Sequence, residues 1–320
     1  MRAALLMDPH LVDFVFGEEE RRALTEVFDI GFTAVNAVHD LAEPERVEVL
    51  LMGWGAVAPT DADLDRLSRL RAIVHWGGGF GSAGDVAARG IALSSAKAAN
   101  AVPVAEFTLA MITLAAKDVF WASRQYTLEQ RYIDREREYG HTGLAGATVG
   151  VVGASTIGEL VIAGLHDQGV DVAVHDPTLS AARAIALGVE RVDDLEALAA
   201  RSRILTIHAP DLPQTRGMVS AAVLAALPDG ATLVNTARGA LVDQESLVAE
   251  LGSGRIHAVL DVTEPDPLPP GHPLYALPNV FLTPHLAGSM GTELRRLGAV
   301  SASEAVRFAN GDALLHPILI

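Results

Sequence analysis

The chain of 320 residues is predicted to form two α/β domains, each built on a parallel sheet. Short apolar runs alternate with longer amphipathic segments along nearly the whole sequence, which is the pattern of strands joined by crossover helices. The length favours two domains, since one domain usually has about 150 residues. Half of the residues are hydrophobic and 20% are charged, which is enough for large cores and is not typical of a disordered chain.

Five apolar runs near the start of the chain are predicted to be strands of the first sheet: Ala3–Met7, Thr33–Val35, Val47–Met52, Ala72–Trp76 and Ile91–Ser94. Helical patterns lie between them, for example at Glu18–Phe28 and Leu64–Leu70. Two of the strands lead into glycine-rich loops that carry aromatic residues, Gly53-Trp54-Gly55 and Trp76-Gly77-Gly78-Gly79-Phe80-Gly81. Because the carboxyl ends of parallel strands border the ligand crevice, both loops are expected to face a ligand.

A second series of apolar runs predicts a sheet that is covered by helices on both faces. Its strands are Thr148–Val152, Val170–His175, Ile204–Ile207, Thr232–Asn235, Ala258–Leu260 and Val280–Thr283. Long helical patterns at Asn100–Ser123 and Ser289–Phe308 separate this series from the two ends of the chain. The charged segment Tyr126–Tyr139 is either a solvated helix or an arm that packs on a second subunit.

The first strand of the second series leads into a glycine-rich loop that predicts a dinucleotide site. The segment Gly153-Ala154-Ser155-Thr156-Ile157-Gly158 stands between a strand and a helical pattern, which is the context of the GxGxxG phosphate loop. Ser155 replaces the second glycine, which normally lets the backbone approach the pyrophosphate, and its hydroxyl could donate to a phosphate oxygen instead. The helix N-terminus adds free N–H groups and partial positive charge.

The next strand ends in a carboxylate that indicates which dinucleotide is bound. Asp176 follows Gly158 by 18 residues, close to the offset of about 20 that the fingerprint requires. Such an acid accepts hydrogen bonds from the ribose hydroxyls and repels a 2′-phosphate, and no Lys or Arg follows it before Arg183. The sequence therefore favours NAD over NADP. The alternative is that Asp176 only caps the turn at the end of the strand.

Three later strands end in polar side chains that a sheet interior would not accept. They lead into Asn235–Gly239, Asp261–Pro267 and Thr283–Ser289. Since the carboxyl ends of parallel strands meet at one edge of the sheet, we expect these segments to lie near the glycine-rich loop. A cation, an acid and an imidazole beside a nicotinamide are the groups that hydride chemistry on a keto acid needs.

These segments together resemble the NAD-dependent D-2-hydroxyacid dehydrogenase family. The resemblance is carried by Gly150–Gly158, Val234–Asp243 and Thr283–Ser289, by His208-Ala209-Pro210 with Thr215, and by Asn100–Glu106. It covers nearly the whole chain. It implies an α/β fold of two doubly wound parallel-sheet domains, in which a Rossmann-type NAD-binding domain (100–289) is inserted into a flavodoxin-like substrate-binding domain (1–99 and 290–320).

The resemblance also implies three catalytic residues. Arg238 would bind the substrate carboxylate with its planar guanidinium and polarise the keto oxygen. His285 would deliver the proton in reduction and accept it in oxidation. The family usually places a glutamate before a proline five residues after the position of Asp261, and here Asp266 occupies that place. Aspartate is one methylene shorter, so Glu264 is a rival partner for His285, although the following proline favours Asp266.

Further contacts are implied for residues that match the motifs of the family. Those to the cofactor are Gly153, Ser155, Thr156, Ile157, Gly158, Asp176, His208, Ala209, Pro210, Thr215, Thr236, Ala237, Arg238, Asp261, His285 and Gly288. Those to the substrate are Trp54, Gly78, Gly79 and Arg238.

We therefore predict an NAD-dependent enzyme that reversibly reduces a small 2-keto acid to a D-2-hydroxy acid. The loop after Trp76 has no Lys or Arg up to Asp85, which argues against a phosphorylated substrate. The altered positions Ser155 and Asp266 leave an alternative, an NAD(H)-sensing binding protein that uses the same fold without turnover. A formate-type dehydrogenase is less favoured, because its histidine usually lacks an acidic partner.

The composition and the lengths of the apolar runs indicate which binding partners and which cell compartment to expect. A formal net charge of −16 makes nucleic acid or an anionic membrane a poor partner. The chain has no cysteine, which excludes disulfides and thiolate ligands, and no histidine pair has metal-site spacing, so no metal is predicted. The apolar runs Ala3–Met7 and Phe107–Ala116 are too short for a signal-peptide core and a membrane span, respectively. We expect a cytoplasmic homodimer.

Overall fold

The computed structural model describes residues 1–77 and 83–318 and divides the chain into two compact units. Unit 1 comprises Met1–Ala101 and Ser289–Ile320, and unit 2 comprises Val102–Gly288. The boundaries of the two units lie within two residues of the domain boundaries that the sequence predicts. Gly78 and Gly79, two of the predicted substrate contacts, lie outside the described residues.

The strands are β1 (Ala3–Leu6), β2 (Ala34–Val35), β3 (Val49–Met52), β4 (Ala72–His75), β5 (Ala92–Ser95), β6 (Thr148–Val152), β7 (Asp171–His175), β8 (Glu190–Arg191), β9 (Ile204–Ile207), β10 (Thr232–Asn235), β11 (His257–Leu260) and β12 (Val280–Leu282). The helices are α1 (Val12–Val15), α2 (Glu18–Val27), α3 (Asp61–Arg66), α4 (Ala83–Ala88), α5 (Lys97–Ala116), α6 (Val119–Glu129), α7 (Arg135–Tyr139), α8 (Thr156–Asp167), α9 (Ala181–Leu187), α10 (Leu195–Ala200), α11 (Ala221–Ala226), α12 (Gln244–Gly252) and α13 (Leu294–Asn310). Short 3-10 helices lie at Pro9–Leu11, Val38–Asp40, Pro44–Arg46, Gly239–Leu241, Pro273–Tyr275 and Gly291–Glu293.

The sheet of unit 1 has the strand order β2-β1-β3-β4-β5, and all of its strands are parallel. This is the flavodoxin-like order, in which helices cover both faces. Successive residues of β3 alternate between two cores, so that Leu50 packs on one face of the sheet and Leu51 on the other. Because both faces are buried, the strands are continuous apolar runs, and this is why the sequence predicts them so clearly.

The C-terminal helix α13 belongs to unit 1 and anchors the end of the chain. Leu294 and Leu297 on its apolar face join the core of the unit. Glu304 on the same helix is buried and accepts hydrogen bonds from Ser94 Oγ (2.6 Å) and from two backbone N–H groups of the C-terminal segment. Burial alone would raise the pKa of Glu304, but these hydrogen bonds outweigh it and hold the pKa below 4.5.

The sheet of unit 2 has seven parallel strands in the order β12-β11-β10-β9-β6-β7-β8. Counted from β6, this is the Rossmann order 3-2-1-4-5-6 with one further strand at the edge. Val259 of β11 packs on one face and Leu260 on the other, so this sheet is also covered on both sides. The predicted fold class, a Rossmann-type unit inserted into a flavodoxin-like unit, is confirmed. The glycine-rich loop follows β6, where the strand order reverses, which is where such sheets bind ligands.

Several local features differ from the sequence prediction: α3 ends at Arg66, before the end of the pattern Leu64–Leu70, and α13 begins at Leu294 instead of Ser289. The helix expected over Asn100–Ser123 is interrupted, because Asp118 adopts a left-handed conformation (φ +53°) between α5 and α6. The carboxylate of Asp118 is buried and lies 3.1 Å from His141 Nε2, a tertiary contact that no local pattern reveals. Strand β8 was missed because it is short, charged and exposed, and therefore has no apolar run to mark it.

Helix α5 has 20 residues and a mean hydropathy of 1.4, so its length and composition alone would allow it to cross a membrane. Ala105, Ile112 and Ala115 on this helix pack into the hydrophobic core of unit 2. An apolar core helix meets the same criteria of length and composition, so this helix is only weak evidence for a membrane span.

Candidate active site

The glycine-rich loop after β6 is shaped by two contacts that only glycine permits. Gly153 has a φ of +96°, and a Cβ atom there would lie 2.7 Å from the backbone nitrogen of Ala209. A Cβ atom on Gly158 would lie 2.1 Å from the carbonyl oxygen of Gly153. Ser155, in contrast, has an ordinary φ of −69°, and its Oγ accepts a hydrogen bond from the N–H of Gly158 (3.3 Å). The serine therefore causes no backbone strain and serves as the N-cap of α8.

The N-terminus of α8 has the chemistry of an anion site. Thr156 and Ile157 are its first two residues, and the N–H groups at the start of a helix have no acceptor within the helix. The aligned peptide dipoles add partial positive charge at the same place. The side chain of Thr156 is exposed and that of Ile157 is partly exposed. These features suit a pyrophosphate and are those expected of a dinucleotide loop.

Asp176, at the end of β7, is held against the glycine-rich loop. Its Oδ2 accepts a hydrogen bond from the N–H of Ala154 (2.8 Å), and its Oδ1 accepts from the N–H (2.8 Å) and hydroxyl (2.7 Å) of Thr178. Burial would raise the pKa of Asp176, but these hydrogen bonds outweigh it and the pKa lies below 3.8. Arg183, the first cation after this strand, forms two hydrogen bonds to Glu159 (3.1 and 2.6 Å). An ionised carboxylate and a neutralised arginine favour NAD over a cofactor with a 2′-phosphate.

The segment after β9 lies directly behind the glycine-rich loop. His208 is buried, and its Nε2 lies 3.0 Å from Thr206 Oγ1. Burial lowers the pKa of His208 to about 3, so the imidazole is neutral and cannot supply charge to a phosphate. Thr215 Oγ1 donates to the carbonyl of Pro210 (2.6 Å) and closes the following turn. The backbone of this segment borders the glycine-rich loop, since a Cβ atom on Gly153 would lie 2.7 Å from the nitrogen of Ala209.

The segment after β10 presents Arg238 on a turn that Asn235 organises. The buried amide of Asn235 accepts a hydrogen bond from the N–H of Ala237 (3.0 Å) and donates to the carbonyl of Arg238 (2.9 Å). Thr236 is buried and shares a hydroxyl hydrogen bond of 2.8 Å with Thr108 of α5. Arg238 itself is exposed, and its Nη1 donates to the carbonyl of Ala237 (2.6 Å). The turn therefore projects an exposed guanidinium from the carboxyl edge of the sheet.

The carboxylate of Asp261, at the end of β11, organises the loop that carries His285. It is buried and accepts hydrogen bonds from Thr283 Oγ1 (2.6 Å) and from the N–H groups of Leu286 (2.7 Å) and Ala287 (2.9 Å). The backbone carbonyl of Asp261 accepts a further bond from the N–H of His285 (3.0 Å). The sequence implied a cofactor contact for Asp261, and the structure adds a second role that the sequence does not show, in positioning this loop.

His285 and Asp266 meet in a hydrogen bond between Nδ1 and Oδ2 of 3.0 Å. The aspartate therefore reaches the imidazole despite its shorter side chain, and the contact that the sequence left open between Asp266 and Glu264 is made by Asp266. His285 has a φ of +59°, a left-handed conformation that is uncommon outside glycine and that often marks functional positions. With Nδ1 occupied, Nε2 is the ring nitrogen left for proton transfer.

Close backbone packing joins the Arg238 turn to the segment that carries Asp266. A Cβ atom on Gly239 would lie 2.1 Å from the carbonyl carbon of Thr263 and 2.6 Å from the nitrogen of Glu264. Only glycine allows the two segments to approach this closely. Gly288, the last predicted cofactor contact, follows the His285 loop and is the final residue of unit 2.

Unit 1 contributes one described residue of the predicted substrate contacts, Trp54. Its ring packs edge-on against the buried ring of Trp76, with centroids 5.1 Å apart. A Cβ atom on Gly53 would lie 1.8 Å from the Trp76 ring, and one on Gly77 would lie 2.6 Å from Trp54 Nε1. The glycines therefore make room for the two indoles. Trp76 fills the core, whereas Trp54 stays partly exposed at the carboxyl edge of the sheet.

Together, the Rossmann-type unit, its glycine-rich loop and the polar residues at the strand ends place the chain in the class of dinucleotide-dependent oxidoreductases. Comparison with known proteins defines the family. The sequence model of the D-isomer specific 2-hydroxyacid dehydrogenase NAD-binding domain matches residues 109–287, more than half of the chain. The chain belongs to this family, and NAD is its cofactor.

Curated relatives include the D-3-phosphoglycerate dehydrogenases of Methanocaldococcus jannaschii and Mycobacterium leprae. The first is 30% identical over 299 residues, which are 92% of this chain and 56% of the relative. The second is 34% identical over 223 residues, which are 69% of this chain and 41% of the relative. The chain thus spans about half the length of these relatives.

Solved structures include apo D-mandelate dehydrogenase of Rhodotorula graminis, with a TM-score of 0.83 and 25% identity over 100% of this chain and 97% of that one. A D-isomer specific 2-hydroxyacid dehydrogenase of Xanthobacter autotrophicus, solved with NADPH and MES, has a TM-score of 0.76 and 28% identity over 100% and 98% of the two chains.

Proposed function

We propose that the protein reversibly reduces a small, unphosphorylated 2-keto acid to the D-2-hydroxy acid with NADH. The observation that carries the proposal is the hydrogen bond between His285 and Asp266 on a loop that Asp261 holds in place. Arg238 stands at the end of β10, next to the strand that ends at Asp261. An acid–imidazole pair and a guanidinium at neighbouring strand ends are the protein groups that this reaction needs.

Each of these side chains has a separate task in the reaction. Bound NADH supplies the hydride. The planar guanidinium of Arg238 binds the substrate carboxylate and polarises the keto oxygen. His285 donates a proton from Nε2 to the oxygen that becomes the hydroxyl, and takes it back in the reverse direction. Asp266 holds Nδ1 and thereby keeps the imidazole in one orientation and one tautomer.

The substrate class is inferred from unit 1. The segment 53–60 after β3 contains no Lys or Arg, and its larger apolar side chains are Trp54, which is partly exposed, and Val57, which is exposed. A phosphate on the substrate would need cations in such a segment. We therefore assign Trp54 to an apolar substrate side chain, in contrast to the phosphoglycerate in the names of the curated relatives. Gly78 and Gly79 remain proposed substrate contacts on the resemblance alone.

The test is turnover of NADH with a panel of keto acids: glyoxylate, pyruvate, hydroxypyruvate, phenylpyruvate and phosphohydroxypyruvate. We expect oxidation of NADH with an unphosphorylated acid. His285→Ala should lower kcat by about 10²–10⁴ while NADH still binds, since proton transfer is worth that much. His10→Ala, an exposed histidine of unit 1, is the control and should have no effect. NADH binding without turnover of any keto acid would instead identify an NAD(H)-sensing protein.

We also propose that the chain forms a homodimer through the segment of α6 and α7. Tyr126, Leu128 and Tyr132 in this segment expose 62%, 73% and 83% of their surface, which is unusual for large apolar side chains. Light scattering after gel filtration should give twice the chain mass of 33.6 kDa. Leu128→Glu should lower the measured mass towards that of the monomer, whereas a monomeric wild type would refute the proposal.

A cytoplasmic location and the absence of metal, nucleic-acid and membrane partners stay predictions of the sequence.

A further inference from the structure

Gln244, the first residue of α12, forms two hydrogen bonds to the backbone of Glu264, in the segment that carries Asp266. Its Nε2 donates to the carbonyl oxygen of Glu264 (2.6 Å), and its Oε1 accepts from the N–H of Glu264 (3.0 Å). The side-chain amide thus pairs with both backbone groups of Glu264, as a neighbouring strand would. In the part of the chain that the structure describes, Gln244 forms no hydrogen bond to Arg238, to His285 or to the carboxylate of Asp266.

The segment 263–267 needs such support because it can form few backbone hydrogen bonds of its own. Pro265 and Pro267 have no N–H to donate. A second support comes from Thr263, whose Oγ1 donates to the carbonyl of Pro265 (2.8 Å). Gln244 therefore provides two of the hydrogen bonds that fix the course of the chain just before Asp266.

The contact between Asp266 and His285 cannot maintain this geometry alone. The two side chains are 39% and 52% exposed, so water competes for both partners. A hydrogen bond between two exposed side chains contributes little net free energy and does not order a loop by itself. The short side chain of Asp266 also leaves little freedom to follow a displaced backbone. The position of the backbone at Glu264 thus decides whether the carboxylate reaches Nδ1.

We propose that Gln244 is a positioning residue for the proton-transfer pair: it holds the backbone at Glu264 so that Asp266 stays within hydrogen-bond distance of His285. The inference rests on the proposed function for its kinetic consequence, but its structural consequence can be measured without turnover. Within the described residues, the hydrogen bonds of Gln244 reach neither the glycine-rich loop nor the Arg238 side chain, so we expect kcat to respond to its loss more than the binding of cofactor and substrate.

Three substitutions separate the hydrogen bonds from the volume of the side chain. Gln244→Met keeps the length and removes both bonds, so kcat should fall about tenfold with the KM values for NADH and keto acid unchanged. Gln244→Glu keeps the acceptor for the N–H of Glu264 and loses the donor, so it should retain part of the activity. Glu245→Gln, at the exposed next position of the helix, is the control and should behave as wild type.

A double-mutant cycle with Asp266→Asn tests whether Gln244 acts through Asp266. In that background Gln244→Met should change kcat less than twofold, because the contact that it protects is already impaired. A general structural role would instead lower kcat equally in both backgrounds, and that result would overturn the proposal.

Nitrogen NMR of the His285 ring, assigned by its loss in His285→Ala, provides the readout without cofactor or turnover. Gln244→Met should shift the Nδ1 resonance in the same direction as Asp266→Asn, and Glu245→Gln should not. An unchanged Nδ1 resonance in Gln244→Met would overturn the positioning role. If no keto acid is turned over but the resonance shifts as expected, the proposed function fails and the positioning role stands.

Discussion

Replacing Gly239 by alanine tests whether the close approach of two backbone segments creates the proposed site. The new Cβ atom would lie 2.1 Å from the carbonyl carbon of Thr263 and 2.2 Å from its oxygen, whereas an ordinary contact needs 3.4 Å or more. The atoms in conflict are backbone, so no side chain can rotate away. The turn with Arg238 and the segment with Asp266 must therefore separate by more than an ångström.

This displacement predicts two separate losses. A shift of about 1 Å in a catalytic group can cost about 10²-fold in rate, so kcat for the best keto acid should fall by about that factor. Overpacking costs about 1–3 kcal/mol, which corresponds to a drop in Tm of roughly 2–12 °C for the unfolding of a unit of this size. Steady-state kinetics and a thermal melt of the same preparation measure both.

Gly252→Ala is the matched control. Gly252 ends α12, and a Cβ atom there meets nothing within 4 Å. This variant should keep the wild-type kcat and gain about 0.5–1 kcal/mol, since alanine restricts the unfolded chain more than glycine does. If Gly239→Ala matched Gly252→Ala in rate and Tm, the packing of the two segments would not matter for function and the reasoning would be refuted.

Three further substitutions test the carboxylates. Asp176→Ser should increase the use of NADPH relative to NADH by about tenfold, because the charge that repels a 2′-phosphate is removed. Steady-state kinetics with both cofactors measure this ratio, and an unchanged preference for NADH would contradict the prediction. Asp261→Asn should cost about 2–3 kcal/mol in urea unfolding, because an amide NH₂ would face the N–H of Ala287; a loss under about 0.5 kcal/mol would contradict this. Glu304, whose pKa is lowered by hydrogen bonds from Ser94 and from backbone N–H groups, stabilises the fold fully above pH 4.5 and progressively less as the pH falls through its folded pKa. Glu304→Gln should therefore be less stable than wild type at neutral pH, and the difference should shrink in acid; a difference that is independent of pH would count against this.

The buried strands were the best-predicted part of the fold. Runs such as Thr148–Val152 are apolar at nearly every position, because helices cover both faces of the sheet. The break between α5 and α6 could not be predicted in this way. It depends on Asp118, whose buried carboxylate meets His141, 23 residues further along the chain, while apolar residues resume directly after Lys117-Asp118.

The candidate site also has a part that the sequence predicts and a part that it does not. The glycine-rich loop and the places of Arg238 and His285 after strand ends were predicted, because they are encoded in short runs of consecutive residues; their roles in the reaction stay predictions. The supports of the site were missed: Asn235 holds the Arg238 turn, Asp261 holds the His285 loop, and Gln244 holds Glu264. The Asn-Thr-Ala-Arg-Gly run drew attention to Asn235, but only the hydrogen bonds show that Asn235 holds the turn.

The fold class is predictable from apolar periods, and the family, the cofactor and the reacting groups from motifs that are continuous in the chain. The folded chain was needed to show which acid meets His285, because Asp266 and Glu264 differ by two positions and the contact depends on the path of the backbone across 19 residues. That path is set by packing at Gly239 and by hydrogen bonds from separate segments, which no local pattern records.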